Sequence, residues 1–220
     1  MLSIGKLAAG GEDYYLQAVA AGVEDYYLDA GEAPGHWLAG AGALGLEGEV
    51  ALEDLRAVLA GREPGGAQLA AAPPGRARVP GYDLTFSAPK SVSLLHALGE
   101  PQTQSEVLAA HEASVATALG DLERQAAFLR CGHGGHERIA AEGLVAAGFC
   151  HRLSRSQDPA LHTHVVVANL ARTAEGPPAP WTDGRATTTP PPPATSTRPS
   201  FATADRAPRR RVAAGALRPR

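Results

Sequence analysis

The chain has 220 residues, with 20 Lys and Arg against 23 Asp and Glu and a formal net charge of −3. That near-balance excludes a uniformly basic nucleic-acid coat, two cysteines are too few for a disulfide framework, and no apolar run reaches the ~18 residues of a membrane helix. The first eleven residues lack the apolar stretch of a signal peptide, so the expectation is a cytoplasmic protein with no membrane partner.

In chain order, residues 1–7 read as a short strand. Residues 12–21 and 22–30 read as helical stretches carrying the pairs Tyr14-Tyr15 and Tyr26-Tyr27, each preceded by two acidic residues. Val50, Leu52, Leu55, Val58 and Leu59 have the spacing of a helix that stops at Gly61. Residues 64–75 are a Pro/Gly/Ala loop. Residues 81–86 alternate and are β-rich, which predicts a strand. Pro89 then suits the first turn of a helix through His96, with Ser87 as its cap. Residues 105–129 form a long amphipathic helix, with Leu108, Val115, Leu119 and Leu122 along one side. The apolar segments 144–153 and 161–170 are joined by the turn-forming residues 154–159. Together these predict an α+β fold, an antiparallel β-sheet flanked by helices.

The tail differs from the body. Charge divides as −8 over residues 1–63, −1 over 64–176 and +6 over 177–220, and the last stretch also holds 10 of the 18 prolines. Such a segment buries too little apolar surface to offset its ordering entropy. The expected boundary is therefore a folded body over 1–182 and a Pro/Arg-rich disordered tail over 183–220, whose arginines are no argument for DNA binding.

The strongest chemical signal is a set of histidines. On a strand His162 and His164 point to one face, and a hairpin centred on residue 157 brings His151 opposite them. Three neutral imidazoles with an open position suit a divalent metal acting as Lewis acid; three unrelated histidines on a sheet is the competing account. Cys150 falls on the other face and reads as core. A phenol is a poor nucleophile at neutral pH, and packing explains lone tyrosine pairs. Beside a metal-held phosphate, however, a tyrosine completes the chemistry of phosphodiester transesterification. Other motifs carry less. Gly40-Ala-Gly-Ala-Leu-Gly45 has no βαβ setting, Ser87-Ala-Pro-Lys90 lacks the further motifs of a serine acyl-enzyme, and His133 and His136 sit in a glycine loop.

Three motifs in order carry a family resemblance: the paired N-terminal tyrosines, Gly81-Tyr-Asp-Leu-Thr-Phe-Ser-Ala-Pro-Lys-Ser-Val-Ser93, and Asp158-Pro-Ala-Leu-His-Thr-His164. Over about residues 1–185 the chain resembles conjugative relaxases of the TrwC/TraI (MobF) type, within the HUH endonucleases. The resemblance implies the relaxase fold with its C-terminal part missing. It implies nicking and strand transfer of single-stranded DNA at a plasmid transfer origin through a phosphotyrosine intermediate, with other conjugation proteins as further partners. By the same resemblance Tyr14 is the nicking tyrosine, Tyr26 the second, and Tyr15 and Tyr27 complete the pairs. His151, His162 and His164 are metal ligands for Mg, Mn or Zn, and Asp83 orients a ligand histidine or takes the tyrosine proton. Lys90, Arg152 and Arg155 are candidate phosphate contacts. Beyond residue 185 the resemblance stops; plausible codons read one frame away restore relaxase-like sequence, so the tail is expected to be frameshifted out of a longer relaxase. The alternative function is an inactive remnant that keeps metal or weak single-stranded DNA binding.

Overall fold

The computed structural model describes residues 1–8, 34–38, 41, 44–70, 77–126, 128–131, 137–141, 143–173 and 176–179, the short strands after residue 127 other than the two longest by backbone alone. The five-stranded sheet is built from β1 (Leu2–Lys6), β2 (His36–Leu38), β3 (Gly81–Ser87), β6 (Ala146–Leu153) and β7 (Pro159–Ala168). Its order is β1-β3-β7-β6-β2, antiparallel throughout, with β7 at the centre. The helices are α1 (Leu52–Leu59), α2 (Lys90–Leu98) and α3 (Pro101–Ala126). Two small ribbons, β4 (Phe128–Cys131) with β5 (Glu137–Ala140) and β8 (Ala171–Thr173) with β9 (Gly176–Ala179), lie outside the main sheet.

The central strand is apolar on both faces because both are covered. On one face Val166 and Ala168 join Leu55, Val58 and Leu59 of α1, together with Leu7, Leu46, Phe149 and Leu170. On the other, Val165 and Val167 meet Val115, Leu119 and Leu122 of α3, with Leu84 and Phe86 of β3. Each fully buried leucine or valine contributes about 1.5–3 kcal/mol, so the valine run anchors two layers at once.

Helix α1 ends as its sequence predicts. Gly61 adopts φ +80°, its N–H donates to Val58 O, and the N–H of Arg62 donates to Ala57 O, which closes a Schellman motif. Two expectations need correction. Pro89, not Ser87, occupies the cap position of α2, without a side-chain cap bond, because Ser87 is paired in β3 opposite His162. Helix α3 begins at Pro101, where the missing N–H is harmless, and ends at Ala126; Phe128 and Leu129 instead start the β4 ribbon. The stretch 9–33, with all four paired tyrosines, lies outside the described residues, as do His133, His136 and the chain beyond residue 179.

Candidate metal centre and active site

The hairpin β6–β7 creates the site through one irregularity. Its turn is held by Ser154, whose N–H donates to Asp158 O and whose carbonyl accepts from Gln157 N–H, while Gln157 takes φ 63°. Just above the turn Leu153 pairs with Pro159, but two residues later His151 pairs with His162. Between these pairs β6 has one residue and β7 has two, a β-bulge. Directly opposed residues share a face, and were the ladder to run on from Leu153–Pro159 without a bulge, His151 would oppose Leu161 and turn away from the other two histidines. The bulge brings all three to one face. The hairpin centred on residue 157 was therefore one residue off: it opposed His151 to Thr163, whereas Thr163 pairs with Cys150.

The resulting triangle is nearly equilateral. Ring centroids of His151 and His162 are 5.3 Å apart, those of His151 and His164 5.3 Å, and those of His162 and His164 5.2 Å. Three imidazoles bound to one tetrahedral ion through nitrogens at ~2.0–2.1 Å place their centroids about 5 Å apart. As the rings stand, no three His, Cys, Asp or Glu groups among the described residues are set to grip a single ion. The centroid spacing of such a set is present.

The surroundings suit ligand histidines. His164 Nδ1 lies 3.0 and 2.9 Å from the two carboxylate oxygens of Asp83, on the neighbouring strand β3. Thr85 Oγ1 donates to Asp83 Oδ2 over 3.2 Å and lies 3.3 Å from the same ring nitrogen. His162 Nδ1 is 2.7 Å from its own strand's Ala160 O. An Nδ1–H given to a carboxylate or a carbonyl fixes the tautomer that leaves Nε2 for an ion. His151 is buried, and Phe149, the cross-strand partner of His164, closes the same face against Gly35.

The basic residues are placed differently. Lys90 Nζ, exposed at the start of α2, donates to Pro159 O over 2.9 Å. Arg152 is exposed beside His151, and burial, then the Arg152 charge, holds His96 of α2 below its ordinary value. Arg155 is exposed in the hairpin turn.

Sequence reasoning passed over Thr85, Ser93 and His111. His111 had a readable signal: it falls on the Leu108, Val115, Leu119 and Leu122 stripe of α3, a polar residue where an apolar one is expected.

A TrwC relaxase family profile matches residues 8–188. Two proteins named Multifunctional conjugation protein TraI, from Escherichia coli and from its strain K12, are 43% and 42% identical over 134 residues, 60% of this chain and 8% of each relative. Among solved structures, the conjugative relaxase TrwC in complex with oriT DNA in a metal-bound form matches with a TM-score of 0.68 and 34% identity, over 84% of this chain and 62% of that one. Its copper-bound form matches at 0.69 and 33%, over 83% and 62%. TrwC complexed with a 27-mer DNA comprising the recognition hairpin and the cleavage site matches at 0.67 and 32%, over 84% and 61%. The chain thus spans under a tenth of the curated relatives and about three-fifths of the solved chains. No helix of the described residues is long and apolar enough to cross a membrane.

Proposed function

Because the chain belongs to the TrwC relaxase family, we propose that it nicks one strand of plasmid DNA at a transfer origin and holds the 5′ phosphate as a phosphotyrosine. One observation carries this reading: three histidines at 5.2–5.3 Å on one sheet face, one of them tied to Asp83. His151, His162 and His164 would hold a divalent ion, Mg, Mn or Zn, which when bound supplies Lewis-acid polarisation of the scissile phosphate.

The remaining steps belong to the chain. Tyr14 attacks the phosphorus; a bond forms from its phenolic oxygen, and the bond to the departing 3′ oxygen breaks, with the phenol's proton passing to solvent or that oxygen. The phosphoester so formed conserves the bond energy, and Tyr26 repeats the exchange when the strand is rejoined. Tyr15 and Tyr27 complete the pairs. Asp83 acts by orienting His164: its carboxylate already receives the ring N–H, which favours this role over that of proton acceptor for the tyrosine. Lys90, Arg152 and Arg155 meet backbone phosphates along the strand's path. Residues 1–182 form the relaxase unit, and 183–220 lie outside it. Working on plasmid DNA with other conjugation proteins places the protein in the cytoplasm.

The alternative reading is an inactive remnant of such an enzyme that binds metal and single-stranded DNA weakly. A nicking assay on supercoiled plasmid carrying the cognate origin, with Mg²⁺ or Mn²⁺, separates the two. The first reading expects a covalent protein–DNA adduct, and an adduct that survives replacing all four paired tyrosines by Phe refutes its mechanism. Metal binding with no nick supports the remnant.

A further inference from the structure

The histidines of β7 alternate with residues on the α3 side of the sheet, and two of the latter have polar partners inside an otherwise apolar layer. Thr163, 7% exposed, is 3.0 Å from Nε2 of His111 on α3, itself 8% exposed, with the imidazole tautomer deciding which donates. Around them lie Val115, Leu119, Val165 and Val167. Two residues earlier, Leu161 stands just past the last β3 pair, Ser87–His162: its carbonyl accepts from Ala88 N–H, but its own N–H has no residue of β3 opposite it. That N–H donates instead to Ser93 Oγ of α2 over 3.0 Å, and the Ser93 hydroxyl donates onward to Pro89 O over 3.3 Å. Ser93 is 3% exposed.

His162 sits between these two points. The residue before it is held through its backbone by α2, the residue after it through its side chain by α3, and its own ring is braced on Ala160 O. We infer that Ser93 and His111 are positioning residues for His162, which lock the bulged segment of β7 from behind the sheet so that the imidazole keeps its place in the triangle. For stability alone an apolar pair of the same volume would serve at positions 111 and 163, since a buried hydrogen bond replaced at both ends by apolar groups is nearly neutral. A hydrogen bond fixes direction, which packing of two methyl-bearing side chains does not. Direction matters here because residues 160 and 161 are paired with neither neighbouring strand.

The inference rests on the reading of the three histidines as metal ligands, and the test separates the two. Mn²⁺ alone is titrated into the full chain and free ion is followed by its electron paramagnetic resonance signal, with the melting temperature of the metal-free protein measured alongside. His162→Ala is expected to abolish binding. The double variant H111L/T163V is expected to melt close to the parent yet bind Mn²⁺ about 10–100-fold more weakly, the range for lost outer partners of ligand histidines. S93A is expected to weaken binding in the same direction, and H111Q, whose amide reaches the same hydroxyl, to bind like the parent. Should the double variant not fold, T163A, which deletes the hydroxyl without adding volume, takes its place with the same expected loss. Parent-like affinity in H111L/T163V or T163A, with H162A unable to bind, overturns the positioning role and leaves the metal reading intact. No binding by the parent, or parent-like binding by H162A, overturns both.

Discussion

Removing the Asp83 carboxylate tests the site where its geometry is most explicit. In Asp83→Ala both contacts to His164 Nδ1, at 2.9 and 3.0 Å, are lost, together with the Thr85 hydroxyl's acceptor. The two side chains are 19% and 15% exposed, so the pair is only partly screened by water. A hydrogen bond to a charged group contributes about 1.5–3 kcal/mol, and tenfold in affinity is about 1.4 kcal/mol. The loss falls on metal binding, because an unrestrained ring must be reoriented before it can ligate. Mn²⁺ affinity in D83A should therefore drop about 10–100-fold. D83N keeps an amide oxygen able to accept the ring N–H and should stay within about tenfold of the parent. Titration calorimetry on the full chain gives both numbers, and thermal melting shows whether each variant is folded. A folded D83A that binds Mn²⁺ like the parent, while His164→Ala does not bind, refutes the orienting role of the carboxylate.

Three further outcomes are expected. Burial, then His162, the N-terminal ammonium and His96, holds His111 below its ordinary value of 6.5; below that pH the unfolded chain binds more protons, so stability present above it is lost as the pH falls. Denaturant titrations near pH 7.5 and 5.5 should show that loss in the parent and a smaller one in H111Q; equal losses contradict the assignment to this group. Gly35→Ala places a methyl 2.3 Å from Phe149 Cε1 and 2.6 Å from its Cδ1, an overpacking expected to destabilise by about 1–3 kcal/mol; a change indistinguishable from zero in the same titration would falsify the close approach. Tyr14→Phe should abolish the covalent DNA adduct in the nicking assay, and an undiminished adduct on that variant moves the nucleophile elsewhere.

How much of this was legible in the sequence varies with the range of the interaction. Alternation in residues 81–86 revealed β3, because period two is a local property, while Asp83 stood out only through the family resemblance. The histidine motif was equally local. The partnership of His151 was not, since it depends on register, and a midpoint drawn through the turn missed by one residue because nothing in Pro159-Ala-Leu161 announces a bulge. Helix ends erred for a similar reason: residues 127–129 continue an apolar pattern that a ribbon pairing across the chain overrides. Ser93 carried no signal at all and His111 only that of a polar residue on an apolar stripe, because the meaning of both lies in what they touch 68 and 52 positions away.

The bulge in β7 also separates two kinds of length change in the hairpin. Residues 155–157 form the tip, where an added or lost residue lengthens or shortens an exposed loop and leaves both ladders in step. Losing residue 160 or 161 would instead heal the bulge, give position 152 a single partner and leave His151 opposite His162. What turns His151 away is keeping both residues and pairing them without a bulge, which opposes it to Leu161. The meeting of the histidines therefore depends on where the surplus residue is absorbed, and a related chain with a shorter β7 could reach it through a regular ladder.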